Sequence, residues 1–397
     1  MPTEIVQELI DYRNEHPEFK KALDQSFNLA YQTGLEEFEL YNIHNVDDYI
    51  RYMDEYVHWL PTENKSGKNV YYHICMFYFI IDLPPVREHQ SPIDPSSKSP
   101  WRWLSEWLIR YAQEMGRWMD TEASFSDAQL QTFKDSPPYH MEDYPVPPQG
   151  WRTFNEFFAR HIDKDKRPVA PGANVLVSPA DCAYDGQWPV NDEASVNTFD
   201  VKGVPWSISQ LLYDEASGTD YGPKFAGGVF THSFLGPTDY HRQHAPIAGT
   251  IKEAKVIPGL CYLEVVLDTT TKGRPRLGMH RAMRRVDGQL RSSNSLDAPD
   301  SPGYQFLQAR GLILIESDDP KIGLVAVLPI GMAQVSSVVL SVKKGDRVEK
   351  GQEISCFQLG GSDIVMVFQK QANVQLNQTV NEHYNYGTAI GTFGTSA

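Results

Sequence analysis

The sequence predicts an α+β protein, with a helical N-terminal domain over residues 1–144 and a β-rich domain over residues 151–397. Three observations carry this prediction. Apolar residues in the first third recur at the period of amphipathic helices, whereas beyond residue 151 they fall into short runs bounded by turn residues. A stretch rich in proline and acidic residues, 137–150, separates the two patterns. A chain of 397 residues also exceeds the roughly 250–300 at which one core stops growing.

Taken in order, Thr3 stands at an N-cap position ahead of Ile5, Val6, Leu9, Ile10 and Tyr12. Pro17 interrupts this helix before Phe19, Leu23, Phe27 and Tyr31 resume the period. Residues 74–83 are the longest apolar run, but they fall short of the ~20 residues a spanning helix needs and include Asp82. They predict a buried helix. Ser99-Pro100 predicts a cap and a first-turn proline for a helix carrying Trp103, Leu104, Trp107, Leu108, Tyr111, Met115 and Trp118. That aromatic stripe has plain amphipathic spacing and therefore reads as core rather than as a ligand box. Strand-like runs follow at 175–177, 228–230, 264–267, 312–316, 323–328, 337–342 and 364–368. Residues 271–304, rich in Arg, Ser, Asp and Pro, predict a long surface loop placed to cover a site. Residues 342–354 alternate apolar residues with glycine turns, as barrel-sandwich hairpins do. They display no lysine on a tight hairpin of the kind a lipoyl or biotinyl carrier modifies.

Composition narrows the function classes. With 41% hydrophobic and 22% charged residues the chain is globular rather than disordered. Its net charge of -15 repels phosphate backbones and anionic bilayers, which argues against nucleic acid and unassisted membrane docking but not against a small zwitterionic substrate. Cys75, Cys182, Cys261 and Cys356 are far apart and show no metal-ligand pairing, so reduced thiols in a cytoplasmic protein are expected. The N-terminus lacks a basic segment followed by an apolar one, and no secretory signal is predicted.

Three segments have chemical potential. Leu359-Gly360-Gly361-Ser362-Asp363 precedes an apolar strand; two glycines leave the Gly361 carbonyl open to close approach, although for this segment alone a flexible turn is the better reading. A nucleophile elbow would need a glycine where Ile364 stands. Asp239-Tyr240-His241-Arg242-Gln243-His244 offers two imidazoles without a third metal ligand on the same segment. That leaves acid–base work or structural hydrogen bonding, and no metal is expected. Ser178-Pro179-Ala180-Asp181 presents one carboxylate at a strand end, which a simple turn aspartate would also explain.

Together with Phe154-Asn155-Glu156-Phe157-Phe158 and Arg167-Pro168, these segments in this order resemble the phosphatidylserine decarboxylase family, over roughly residues 151–368. The N-terminal part is similar to the extension of the fungal tryptophan decarboxylase branch. Shared features there are the break at His16-Pro17, Tyr240-His241-Arg242 followed by His244-Ala245-Pro246, and Ile330-Gly331-Met332. The resemblance implies a phosphatidylserine-decarboxylase-like catalytic domain that cuts itself between Gly361 and Ser362. It implies that Asp181 orients His244, that His244 takes the proton of Ser362, and that the Ser362 oxygen attacks the Gly361 carbonyl. The ester then breaks by elimination, and the serine remnant loses ammonia to become a covalent pyruvoyl cofactor on a separate C-terminal chain. Its ketone would form a Schiff base with the substrate amine, and His241 would protonate the carbanion left by carbon dioxide. The branch resemblance and the acidic charge favour a free L-amino acid, aromatic ones first, over phosphatidylserine. A β-rich binding module that has kept only the fold is the non-enzymatic alternative. Neither the oligomeric state nor the pathway is encoded legibly. Two departures stand out: Cys182 replaces the family's usual glycine, and Asp363 its usual threonine or serine. A carboxylate at 363 is expected to repel an anionic substrate if it faces the bound molecule.

Overall fold

The computed structural model describes residues 1–197, 205–214, 217–268, 275–280, 303–333, 337–359 and 362–394. It is α+β, as expected: helices dominate the N-terminal part and an eight-stranded sheet the remainder. The helices are α1 (Glu4–Glu15), α2 (Pro17–Tyr31), α3 (Glu36–Leu40), α4 (Val46–Val57), α5 (Asn69–Ile81), α6 (Trp103–Met119), α7 (Asp127–Lys134) and α8 (Phe154–Phe158). Asn45, Ser126 and Thr153 cap α4, α7 and α8 through their side chains. Thr3 does precede α1, but its hydroxyl bonds Asp54 instead of the helix backbone. Pro17 opens α2, where its missing N–H costs nothing.

The expected start of α6 is shifted. The helix begins at Trp103 with Arg102 as its cap residue, not at Ser99-Pro100. Ser91 Oγ accepts the Arg102 N–H at 2.8 Å and Glu106 accepts the Trp101 N–H at 3.2 Å, so partners outside the Ser-Pro pair fix the entry. The aromatic stripe of α6 is core. Trp107 donates to the Ile5 carbonyl and Tyr111 to that of Met53, which satisfies their polar tips while the rings are buried. Helix α5 is apolar on nearly every side and accordingly buried. It packs on α2 and also on the antiparallel pair Glu264–Asp268 and Arg276–His280. One continuous core thus contains residues of α1 to α8 together with Tyr262, Val265, Tyr304, Met332 and Leu359.

The large sheet is antiparallel throughout. Its order is Arg347–Val348, Gly249–Ile257, Arg310–Ser317, Leu324–Gly331, Ser362–Phe368, Val229–Leu235, Cys182–Pro189 and His383–Tyr384. A three-stranded sheet of Val338–Leu340, Glu353–Phe357 and Arg242–His244 lies beside it. The strand Ser362–Phe368 is buried at every position. Ile364, Met366 and Phe368 enter one core, whereas Val365 and Val367 enter another, as the two-residue pleat requires. Residues 342–354 are not a hairpin of their own: they connect the paired strands Val338–Leu340 and Glu353–Phe357, Arg347–Val348 within them pairs with Thr250 and Gly249, and Gly345 and Gly351 turn the chain at φ of +94° and +83°. Of the expected loop 271–304, residues 276–280 are instead a strand, because they pair in register with 264–268; 271–274 and 281–302 lie outside the described residues. Among the described residues no helix is long and apolar enough to cross a membrane.

Candidate active site

The site is assembled at one end of the central strand. Ser362 is its first residue and is fully buried, with Gly331 as ladder partner on one side and Leu235 on the other. Gly360 and Gly361 lie outside the described residues. Leu235 ends its own strand, and the turn that follows carries the chain through Asp239 to His241 and His244. Asp239 closes that turn by accepting the Gly236 N–H at 2.6 Å. His244 pairs with Glu353 on the strand that leads through Leu359 towards Ser362. The sheet therefore brings the serine segment and both histidines to one end of the fold.

His244 is held on three sides. Its Nδ1 lies 2.8 Å from the Gly351 carbonyl, which can only accept, so the proton sits on Nδ1 and the lone pair on Nε2. Nε2 accepts from the Tyr240 hydroxyl at 3.2 Å, and the Tyr386 ring stacks on the imidazole at 3.7 Å. Burial lowers its pKa to about 4, so the ring is neutral around pH 7 and has the protonation state a base requires.

Asp181 lies close by without touching His244. Arg167 grips its carboxylate through Nε at 3.0 Å and Nη2 at 2.6 Å, and the Tyr386 N–H donates at 2.8 Å. Burial pushes this carboxyl above its usual range, while Arg167 and the Tyr386 amide act in the opposite direction. No hydrogen bond joins Asp181 to His244 among the described residues. They meet through Tyr386, whose backbone binds one and whose ring covers the other. His241 is buried, stacked on Phe158 at 3.9 Å, with Nε2 at 3.3 Å from the Pro237 carbonyl.

Both departures have a structural setting. Cys182 is buried, and desolvation pushes its thiol up to about 12, so it packs as an inert thiol. Asp363 follows Ser362 on a regular strand and points to the opposite face, the one carrying Val365 and Val367. There the Tyr304 hydroxyl donates to it at 3.0 Å and His232 Nε2 lies 3.4 Å from the same oxygen. His232 Nδ1 meets Asp185 at 2.9 Å. Burial opposes the charge on His232, but the two carboxylates prevail and raise its pKa to about 9. The condition for Asp363 to repel an anionic substrate is therefore not met on the strand: the carboxylate lies on the face opposite Ser362, where it shares His232 with Asp185.

Sequence reasoning did not single out Tyr386, Gly351 or Asn155 as site-shaping residues. Asn155 Oδ1 accepts the Leu359 N–H at 3.2 Å, and its amide nitrogen donates to Asp120 at 2.9 Å. This chain of contacts ties the end of α6 to the segment before Ser362. Beside it a cavity of about 440 Å³ opens between α6 and the sheet region. Among the described residues no group of three metal-ligating side chains occurs.

Residues 154–392 match the phosphatidylserine decarboxylase family. The chain belongs to this family. It is a decarboxylase, a carboxy-lyase by family. "Decarboxylase iboD" of Amanita muscaria is 30% identical over 262 residues, 64% of this chain and 71% of its own. An "L-tryptophan decarboxylase" of Psilocybe cubensis is 28% identical over 250 residues, 60% of this chain, and the match spans only 51% of that relative's length. A "phosphatidylserine decarboxylase proenzyme" of Fusobacterium nucleatum is 26% identical over 269 residues, 68% of this chain and 74% of its own.

Proposed function

We propose that this decarboxylase cuts itself between Gly361 and Ser362, turns Ser362 into a pyruvoyl group, and decarboxylates a free L-amino acid, with aromatic ones the first candidates. The placing of Ser362 supports this most. A cut before it would leave residues 362–368 bonded to a strand on each side, so the new chain end would stay fixed in the sheet. The residues present suit such a group, since Ser362 supplies the atoms and its surroundings are dry.

In this reading Ser362 Oγ adds to the Gly361 carbonyl carbon while its proton passes to neutral His244, and the acyl group moves from the Ser362 nitrogen to its oxygen. Loss of the Ser362 Cα proton expels the Gly361 carboxylate, and water then releases ammonia to leave the ketone. Gly351 fixes the base tautomer of His244, and Asp181 acts as a positioning residue through Tyr386. His241, clamped between Phe158 and the Pro237 carbonyl, is assigned the return of a proton to the substrate carbon. A pyruvoyl group supplies a ketone that bonds an amine and a carbonyl that accepts electrons as carbon dioxide leaves. The reading's partners are the amino acid and the chain's own residues 362–397.

Ser362→Ala tests it. The variant should run as one full-length chain on a denaturing gel and release no carbon dioxide. The wild type should run as two chains and release it from at least one free amino acid in detergent-free buffer, with little from phosphatidylserine vesicles. A variant that still splits would end the assignment, and release from vesicles alone would move the substrate to the lipid.

A further inference from the structure

The cavity beside Leu359 is lined by none of the hydrogen-bond partners of His244 or Asp181, and its walls come from both parts of the fold. Ala112, Met115 and Met119 of α6 form one side, and Cys261, Ala309 and Leu359 form the other. Its volume of about 440 Å³ falls within the roughly 300–1,000 Å³ typical of small-molecule sites. Two of the walls lead to the reactive residue. Leu359 precedes Ser362 by three positions, and the Ala309 carbonyl accepts the N–H of Gly331, the ladder partner of Ser362.

The lining also carries a chemical preference. The polar groups at its edge are engaged with one another: Asp120 accepts from Asn155 and from Gln358, and Ser337 donates to Gln358. Arg117 is paired with Glu114 and largely solvent-exposed. What remains facing the space is mainly aliphatic and thioether surface. A side chain bearing a carboxylate would lose its water there and meet Asp120, whereas a bulky uncharged one would displace water from apolar walls.

We propose that this cavity receives the side chain of the substrate and selects free amino acids with large, uncharged side chains, so that α6 of the N-terminal region is the specificity element. This rests on the decarboxylase reading above. It follows that selectivity is set some distance along the chain from the histidines and the serine, by a helix outside the matched family segment.

Gly116 provides the test. It lines the cavity on α6, and a Cβ added there meets nothing within 4 Å, so a larger side chain can enter the space without a clash at its root. Gly116→Phe should self-cleave as the wild type does. Its ratio of kcat/KM for L-tryptophan to that for L-alanine should nevertheless fall at least tenfold, through a raised KM for the larger substrate. Val256 stands at the other edge of the cavity and is 46% exposed, so Val256→Trp narrows the space without repacking a core. It should shift the ratio in the same direction even if Gly116→Phe misfolds. Normal cleavage and an unchanged ratio in both variants would overturn the cavity's role alone. A wild type that cleaves but turns over no free amino acid would overturn the substrate reading and the cavity's role together.

Discussion

A histidine serves as a base only while it is uncharged, and burial keeps His244 uncharged well below the pH at which an exposed imidazole protonates. Precursor made by cell-free translation should therefore process at pH 5 at a rate within about twofold of that at pH 7, and slow only as the pH falls through about 4. An ordinary imidazole, titrating near ~6.5, would already have lost more than tenfold at pH 5. Such a loss, read from the time course of chain splitting, would remove His244 from the role. His244→Ala should abolish splitting. Asp181→Asn should slow it less, because the Gly351 carbonyl still fixes the tautomer, and His241→Ala should split normally yet fail to decarboxylate. At this scale the sequence singles out ionisable and nucleophilic side chains as candidates, because ordered motifs carry Asp181, His241, His244 and Ser362. It said nothing of Tyr386 or the Gly351 carbonyl, since a stacking ring and a backbone oxygen leave no pattern of residue types.

The central strand shows how a departure from family pattern is accommodated. Asp363 brings a buried charge onto one face of the Ser362–Phe368 strand, and His232 on the adjacent strand supplies the opposite charge, with Asp185 behind it. Removing one member of a buried pair leaves the other uncompensated, at a cost of about 3–5 kcal/mol, whereas removing both can be nearly neutral. In a Ser362→Ala background, His232→Leu should lower the melting temperature more than Asp363→Thr does, because it strands two buried carboxylates whereas Asp363→Thr leaves the pair with Asp185 in place; equal losses would show that the two carboxylates do not share the imidazole. The pH trend has a defined sign. The folded-state pKa of His232, about 9, lies above its unfolded value, so its contribution is complete below pH ~6.5 and fades as the pH rises through 9. This strand was legible as an unbroken apolar run. Cys182–Pro189 and Gly249–Ile257 were not, because they carry Asp185, Lys252, Glu253 and Lys255, which find ion-pair partners only once the chain has folded.

On the scale of the molecule, the sequence separated a helical part from a β-rich part at residues 137–150. It could not reveal how α5 packs on the strands 264–268 and 276–280, or how Asn155 fastens α6 to Leu359, because such contacts join residues far apart in sequence. The place of residues 362–368 has a further consequence. A cut at 361 would turn an interior strand, together with Tyr386 against His244, into a second polypeptide that had reached its position while still part of one chain. Once denatured, such a pair must find itself again by collision, with an unpaired apolar strand exposed to aggregation in the meantime. The mature protein should therefore fail to recover activity or native fluorescence after dilution from guanidinium, while uncut Ser362→Ala regains its native spectrum. Equal recovery of both would show that the strand docks independently of its history. Otherwise the continuous precursor acts as an assembly guide used once, and heat damage to the finished enzyme is made good only by new synthesis.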